Sequence, residues 1–252
     1  EELYRAGVAR QGQRGPIDGL REMGRQMARG ADVDGGLAEL VDEEIMEVGE
    51  DQWSFRSDLV REVAYQTITK ADRAKCHLGI AHHLEAELGV RHPRPAWLVD
   101  QLAHHYGTAV ALAEELGPVG RTASFPPDLS ERARRWVVEA AERARRDQAM
   151  PTAVRLYGQA LGLLGDEPGP RVPAELHLAR ADVATEAWNV PVAREELALA
   201  IAAAEAAPFP DLAAKALVVR GRIEQREGEV DLAVATLAEA ADRYEALGDD
   251  RG

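Results

Sequence analysis

The residues best suited to chemistry in this sequence are its seven histidines and its single cysteine. Two pairs of histidines are adjacent in the chain, His82-His83 and His104-His105. Neighbouring residues on a helix point about 100° apart, so neither pair alone can chelate a metal ion, and no HExxH motif is present. Structural histidines at helix contacts are the expected role, with metal binding as the alternative. The sequence therefore predicts no metal site.

A catalytic centre is not predicted either. Cys76 is followed by His77, but a cysteine nucleophile also needs a third group to orient its base, and the sequence offers no obvious candidate. No GxxxxGK loop that would hold nucleotide phosphates occurs, and no GxGxxG motif opens a helix. We therefore expect this chain to be non-catalytic by itself and to carry no cofactor of its own.

The composition favours close-packed helices and argues against several kinds of partner. Alanine, leucine and valine dominate the 46% hydrophobic content, and only 5% of the residues are aromatic. A net charge of −14 and a pI near 5.0 disfavour contact with the phosphates of nucleic acids. One cysteine allows no internal disulfide, no apolar run is long enough to span a membrane, and a cytoplasmic protein is expected. Because the chain lacks an initial methionine, we expect a fragment of a longer protein.

The first part of the chain, residues 1–66, has the pattern of a winged-helix-like module. Helices are expected over Ile17–Arg29 and Leu37–Glu44, separated by a break over Gly30–Gly36. Alternating residues over 45–55 then predict a small two-stranded β-hairpin. Seven acidic residues and no lysine or arginine lie between positions 37 and 51, so the usual DNA contact of such a module is not expected.

An amphipathic helix is predicted directly after this hairpin. Ser57 is a suitable N-cap, because its hydroxyl can accept a hydrogen bond from a free amide in the first helical turn. Leu59, Val60 and Val63 fall on one side of the helix, whereas Arg61 falls on the other. The sequence therefore predicts one apolar and one charged side.

Residues 67–128 are expected to form a helical connector that ends in a loop. Thr69 and the acidic residue three positions on resemble a capping box, which opens a helix that ends near Leu88. A second helix is expected over Ala96–Leu116. The prolines and glycines that follow predict a loop over Val119–Asp128.

The last part, residues 129–252, repeats with a period of 40 residues. Each repeat has a small, a large and a small residue at positions i, i+4 and i+7, which is one face of a closely packed helix. These repeat-packing residues are Ala153, Tyr157 and Ala160, then Ala193, Leu197 and Ala200, then Ala233, Leu237 and Ala240. A partner helix is expected before each set, over Glu131–Gln148, Ala174–Trp188 and Leu212–Glu227.

Three helical hairpins of this kind resemble tetratricopeptide repeats, although their period exceeds the usual length of about 34 residues. Breaks within the hairpins are predicted at Met150-Pro151, at 189–191 and at Gly228-Glu229. Such units bury their faces only by stacking, and the resulting α-solenoid offers a surface to a protein partner or a small effector. The predicted fold class is thus mainly α, a winged-helix-like module followed by a tetratricopeptide-like solenoid.

Much of the chain also resembles a known family. The stretch LAELVDEEIMEVGEDQWSFRSDLVREVAY over Leu37–Tyr65, followed by DRAKCHLGIAHHLEAEL and QLAHHYGTA, is similar to the region after the ATPase domain in large bacterial signalling proteins of the STAND type. These proteins are AAA-like regulators that carry an N-terminal adenylate or guanylate cyclase domain or a C-terminal LuxR-type DNA-binding domain. They end in tetratricopeptide-like repeats.

The resemblance implies a role for the junction between the hairpin and the next helix. In that family the winged helix closes over the nucleotide, and the junction reads Arg-His-Asp or Met-His-Asp, with the histidine sensing the phosphates. The corresponding residues here are Arg56, Ser57 and Asp58. A serine hydroxyl at a helix N-terminus can meet an anion, so the three are nucleotide-sensor candidates, and a plain N-cap is the alternative.

The pattern and the resemblance together predict a regulatory fragment. Its repeats would bind a protein or a small effector, and its winged helix would pass that state to the upstream ATPase domain of the same chain. The full-length protein would then bind ATP or ADP and control a cyclase or a transcriptional output. One alternative is a plain interaction scaffold without nucleotide coupling. The other is the effector-sensing part of a LuxR-type transcription activator.

Overall fold

A small N-terminal β-sheet is followed by helices that pack as consecutive hairpins, so the fold is mainly α. This computed structural model describes residues 14–17, 20–21, 24–25, 32–90, 95–118, 120, 125–165, 169–205 and 209–248. The chain divides into two compact units, Glu1–Arg132 and Ala133–Gly252. Across the described ranges, no helix is both long and apolar enough to cross a membrane.

The sheet has one strand more than the predicted hairpin. Strands β2 (Met46–Val48) and β3 (Gln52–Phe55) form that hairpin, and β1 (Arg14–Pro16) pairs with the other edge of β3. Both pairings are antiparallel, and the sheet order is β1-β3-β2. The first strand was missed because a three-residue segment with Gly and Pro reads as a turn, and only its pairing partner makes it a strand.

Helix α1 covers Val33–Asp42 and starts four residues before the predicted position. Asp32 explains the early start, because its Oδ1 accepts a hydrogen bond from the amide of Gly35 at 2.9 Å. The predicted break over Gly30–Gly36 was therefore wrong from Val33 onward. A capping side chain and a buried Val33 outweigh the low helix propensity of two glycines.

The predicted helix over Ile17–Arg29 lies largely outside the described residues. Those that are described, at positions 17, 20, 21, 24 and 25, are helical. Ile17 and Leu20 are buried and belong to the core of the N-terminal module. Among the described residues of this module, the other large buried side chains are Val33, Leu37, Met46, Trp53 and Phe55.

Helix α2 (Asp58–Thr67) begins after Ser57, as predicted, but its apolar side is not covered. Leu59 is 72% exposed and Val63 is 54% exposed, whereas Arg61 on the other side is only partly exposed. Sequence periodicity thus gave the two sides of the helix correctly. It did not show which side packs against the rest of the described chain, because that depends on how the helix leaves the sheet.

Helices α3 (Lys70–Val90) and α4 (Ala96–Glu114) pack against each other as a hairpin. Thr69 opens α3 as predicted, since its Oγ1 accepts from the amide of Asp72 at 3.2 Å and donates to that carboxylate at 2.8 Å. The predicted ends near 88 and 116 differ from the observed ends by two residues each. Within the predicted loop over Val119–Asp128, position 120 is helical, 125–128 are irregular and the rest lies outside the described residues.

Six helices form three hairpins in the repeat region. They are α5 (Leu129–Arg146) with α6 (Met150–Gly162), α7 (Arg171–Glu186) with α8 (Val190–Glu205), and α9 (Pro210–Glu227) with α10 (Val230–Ala246). Helix α5 begins in the first compact unit and continues into the second. The second unit is a helical array in which the second helix of each hairpin begins 40 residues after that of the hairpin before it.

The turns inside the three hairpins have the same geometry at the same repeat position. Gln148, Trp188 and Gly228 adopt φ values of 60°, 59° and 85°, which is the left-handed region. After each of them, the next amide donates to the carbonyl five residues earlier, at 2.8, 2.9 and 2.9 Å. This is the Schellman end of a helix. The period of 40 residues seen in the sequence therefore extends to individual backbone hydrogen bonds.

Two of the predicted breaks were placed too late. The prolines at 151 and 191 do not interrupt the hairpins, because each lies in the first turn of a helix, α6 or α8. Proline fits there, since the first helical amides have no partner within the helix and the required φ is the one that proline already has. The turns instead occupy 147–149 and 187–189.

Replacing Gln148 with glycine is expected to stabilise the array by about 0.5–1 kcal/mol, because a left-handed residue with a side chain is strained and glycine is not. The matched control is Gln159→Gly on the exposed surface of α6, which is expected to destabilise by a similar amount. Urea unfolding followed by tryptophan fluorescence measures both. Two losses of equal size would show that the turn at 148 is not left-handed.

Eight of the nine repeat-packing residues are buried, with exposed fractions from 0% to 6%. Leu237 differs, because 38% of its surface is exposed. Its equivalent Leu197 belongs to a core cluster that includes residues of the following helix α9, such as Leu212 and Val219. Among the described residues, no further helix packs on α10 in the way that α9 packs on α8 around Leu197.

Candidate functional site

A cleft of about 450 Å³ opens among the helices of the repeat array. Most of its lining comes from the first helix of each hairpin, which is α5, α7 or α9. The lining residues are Glu142, Arg145, Tyr157, Glu175, Leu178, Ala179, Asp182, Leu212, Lys215, Val218, Val219, Arg222 and Tyr244. Its size falls in the range of ordinary ligand sites, and its lining mixes apolar side chains with charged ones.

Asp182 lines this cleft and links its own helix, α7, to the first helices of the two neighbouring hairpins, α5 and α9. Its Oδ2 accepts a hydrogen bond from Arg145 on α5, and its Oδ1 accepts one from Arg222 on α9, both at 2.7 Å. Arg145 also donates to Glu186 at 2.5 Å. Asp182 and Arg222 are 40 residues apart, so this ion pair links the same position of two neighbouring repeats.

The same relation recurs at the other end of these helices. Arg171 at the start of α7 donates to the carboxylate of Asp211 at the start of α9, with a shortest distance of 2.5 Å, and these residues are again 40 apart. The guanidinium of Arg171 also lies 5.3 Å from the ring of Phe209. These two ion pairs, each between equivalent positions of neighbouring repeats, hold α7 in register with α9. Both helices contribute residues to the lining of the cleft.

The ionisable side chains of the cleft balance one another. Three acidic and three basic residues line it, so it carries no formal net charge, although the whole chain carries −14. Burial lowers the pKa of Arg145, but its hydrogen bonds to Glu186 and Asp182 raise that pKa above the ordinary value overall. Burial raises the pKa of Tyr157 to about 12, so its hydroxyl stays protonated. The cleft thus offers both donors and acceptors to a ligand.

A second cavity, of about 470 Å³, lies on a different side of α9 and is mainly apolar. It is lined by Ile201, Ala204, Phe209, Pro210, Ala213, Ala216, Leu217, Arg220 and Arg243. Each guanidinium in this lining is paired with a carboxylate of its own helix, Arg220 with Glu224 at 2.8 Å and Arg243 with Glu239 at 2.6 Å. The described residues of the array thus form both a polar cleft and an apolar pocket.

The predicted nucleotide-sensor residues lie in the first unit, after strand β3. Arg56 pairs with Glu44 and Glu47, each at 3.1 Å, and the hydrogen bond to Glu47 is the main cause that raises its pKa. The hydroxyl of Ser57 accepts from the amide of Val60 at 3.5 Å, which is the geometry of an N-cap.

Asp58, the third of these candidates, lies in the first turn of α2. Its carboxylate is 3.7 Å from the guanidinium of Arg61. All three candidates therefore have partners within their own module. The structure brings Arg56 to carboxylates and Ser57 to a backbone amide.

Apart from Tyr157, which is predicted as a repeat-packing residue, sequence reasoning does not identify the cleft residues. The period of 40 predicts packing positions, whose burial is easy to anticipate, but charged positions are not compared in the same way. Applied to those, it aligns Glu142, Asp182 and Arg222, and it also aligns Glu131, Arg171 and Asp211. An exchange of charge sign at equivalent positions is the signal that would have predicted ion pairs between neighbouring repeats.

No protein-family model matches the sequence, and no curated protein matches it. Among solved structures, the chain is similar to the crystal structure of a Signal Transduction ATPase with Numerous Domains (STAND) protein with a tetratricopeptide repeat sensor from Pyrococcus horikoshii. The two chains are 13% identical and superpose with a TM-score of 0.40. The match covers 99% of this chain and 39% of that chain, so this chain spans about two fifths of the length of that protein.

Proposed function

We propose that the repeat array over residues 133–252 is a protein-interaction module that binds an extended segment of a partner in its cleft. The observation that carries this proposal is the lining of the cleft, most of which comes from the first helices of three consecutive hairpins. A surface built from repeated helices in this way presents side chains at regular intervals along its length. An extended chain, which also repeats at regular intervals, is the partner that such a surface fits.

The chemistry of the lining indicates what kind of segment binds. Ala179 and Val218 are partly exposed and give apolar contact area, and Lys215 is an exposed cation at the cleft. Asp182 is held between two arginines, so it acts as a fixed part of the wall. A segment with both apolar and acidic side chains matches these features, because its carboxylates can approach Lys215 while its apolar side chains displace water from the wall.

The regulatory setting of this module is the second part of the proposal and rests on the resemblance to STAND-type regulators. A segment bound to the repeats would favour one docking of the N-terminal module on an upstream ATPase domain, which is a shift between existing states. Arg56, Ser57 and Asp58 are the residues through which nucleotide would be sensed, and that role remains a prediction. The alternatives are a scaffold without nucleotide coupling and the sensor of a LuxR-type activator. The apolar pocket near Phe209 is the place where a small effector would bind.

A peptide-display selection on the full chain tests the interaction role. Peptides enriched by the wild-type chain are expected to bind Lys215→Glu at least tenfold more weakly, because the substitution puts a carboxylate where the peptide carries its own. Arg155→Glu on α6 is the matched control, since it makes the same change of charge at an exposed position outside the cleft lining. An unchanged affinity for Lys215→Glu, or an equal loss in both variants, would contradict binding in the cleft.

A further inference from the structure

Three histidines from two neighbouring helices meet inside the first unit. His77 lies on α3, and His104 and His105 lie on α4. One ring nitrogen from each lies within 4.8 Å of the other two. His77 is 2% exposed and His105 is fully buried, so the cluster lies at the contact between the two helices. This is the helix-contact position expected for structural histidines, but the convergence of three rings goes beyond that expectation.

We propose that His77, His104 and His105 form a binding site for a divalent first-row transition-metal ion, and for Zn²⁺ in particular. Three imidazoles with one open position form a ligand set that zinc accepts. Imidazole also suits copper and nickel, whereas magnesium and calcium prefer oxygen ligands, and the cluster offers none from a carboxylate. An ion held this way would tie α3 to α4 at the centre of their contact.

The hydrogen bonds of the cluster show how it would open for an ion. Nδ1 of His77 and Nδ1 of His105 are 2.9 Å apart and share one hydrogen bond. Two imidazole nitrogens on a tetrahedral zinc ion are about 3.3 Å apart, given Zn–N distances near 2.0 Å. Entry of the ion therefore needs a small separation of the two rings, and it moves the shared proton to the other nitrogen of its ring.

Tyr65 supplies the outer partner that such a site requires. Its hydroxyl oxygen lies 3.1 Å from Nε2 of His77. When Nδ1 of His77 binds an ion, Nε2 carries the proton and can donate it to the oxygen of Tyr65. Metal-bound histidines usually donate their second N–H to a neighbouring group, which fixes both the ring and its tautomer. His104 contributes a buried Nε2 for which no hydrogen-bond partner is found in the described part of the chain.

One charged neighbour of the cluster opposes metal binding. The guanidinium of Arg73 lies 5.0 Å from the ring centre of Tyr65, so its positive charge weakens the affinity for a dication.

Sequence reasoning missed this cluster because it considered only ligands close together in the chain, which were adjacent histidines and the HExxH motif. His77 and His105 are 28 residues apart, and only the hairpin of α3 and α4 brings them together. A predicted helical hairpin with a histidine in the middle of each helix places the two histidines at similar distances from the turn. That pattern is the signal that could have predicted their contact.

Titration of the full chain with Co²⁺, after chelator treatment and without an affinity tag, tests the site. The visible absorption of tetrahedral Co²⁺ is expected to saturate at one equivalent, and one equivalent of Zn²⁺ is expected to remove it. His104→Gln should weaken binding at least tenfold. His82→Gln is the control, since it removes an imidazole of α3 that is exposed and lies outside the cluster. No binding by the wild-type chain, or an equal effect of the two substitutions, would overturn the proposal.

A second measurement on the unmodified chain keeps the test independent of how the variants fold. Addition of Zn²⁺ is expected to shift the ring ¹⁵N resonances of His77, His104 and His105 and to leave those of His82 and His177 in place. The ¹⁵N shifts of the ring nitrogens report ligation directly, because the nitrogen that binds the ion donates its lone pair to it. Shifts confined to histidines outside the cluster would place the ion elsewhere and contradict the proposed site.

Discussion

Replacing Leu197 with alanine is expected to lower the free energy of unfolding of the repeat array by about 2–5 kcal/mol. Leu197 is 6% exposed and lies in a core cluster with residues of α7, α8 and α9. Its removal takes apolar area from the core and leaves a cavity that helices packed through alanines cannot easily close. Native-state hydrogen exchange over α7 and α8 measures this loss in the full chain.

Leu237→Ala is the matched control for this prediction, because position 237 is the equivalent of 197 in the next repeat. Leu237 already has 38% of its surface exposed, so its replacement with alanine is expected to lower the free energy of unfolding by only about 1 kcal/mol. The contrast depends on the neighbouring helix and not on the residue type. Equal losses at the two positions would mean that α9 does not cover α8 as the structure shows.

Replacing Glu196 with alanine is the second large loss that we expect, at about 2–4 kcal/mol. Glu196 is 4% exposed, and its two carboxylate oxygens accept from Nδ1 of His177 at 2.7 Å and from Arg180 at 2.5 Å. These bonds tie α8 to α7 inside one hairpin. Without the carboxylate, a guanidinium with 27% exposure is left without its partner in a largely dry contact.

The neighbouring Glu195→Ala provides the control for this loss, since Glu195 is exposed and its replacement is expected to change stability by less than about 0.5 kcal/mol. A double-mutant cycle with Arg180→Ala then isolates the pair. We expect a coupling of about 1–3 kcal/mol between positions 180 and 196. A coupling near zero would show that the ion pair with Arg180 is not what makes Glu196 stabilising.

The repeat architecture was predictable because its signal is local. Small residues at 153, 193 and 233 recur with a fixed period, and close helix packing requires small residues at such positions. The number of hairpins, their approximate helices and the burial of Ala200 follow from that pattern. Capping at Thr69 was equally local, since the side chain and the amide that it caps are three residues apart.

The turn residues were harder to predict than the helices that they join. Gly228 is an expected left-handed residue, but Trp188 at the same position is a bulky one for which this conformation is strained. The guanidinium of Arg226 lies 3.7 Å from the centre of the Trp188 ring and helps to hold it in place. That contact joins two hairpins, so the residues next to Trp188 in the sequence do not indicate it.

The features most relevant to function depend on contacts between distant residues, which explains why the sequence did not predict them. Strand β1 exists only through its pairing with β3. The ion pairs of Asp182 with Arg145 and Arg222 span neighbouring repeats. In each case the residue types were visible in the sequence, but only the stacking of helices or the order of strands brings the partners together.

The measurement that most directly tests the interaction role is the ratio of two dissociation constants for one selected peptide, with Lys215→Glu and with Arg155→Glu. Both variants change the net charge equally, so long-range attraction or repulsion of the peptide cancels in the ratio. We predict a ratio of at least ten, which corresponds to about 1.4 kcal/mol of binding free energy supplied at the cleft. A ratio near one would show that the peptide binds elsewhere and would contradict the proposed use of the cleft.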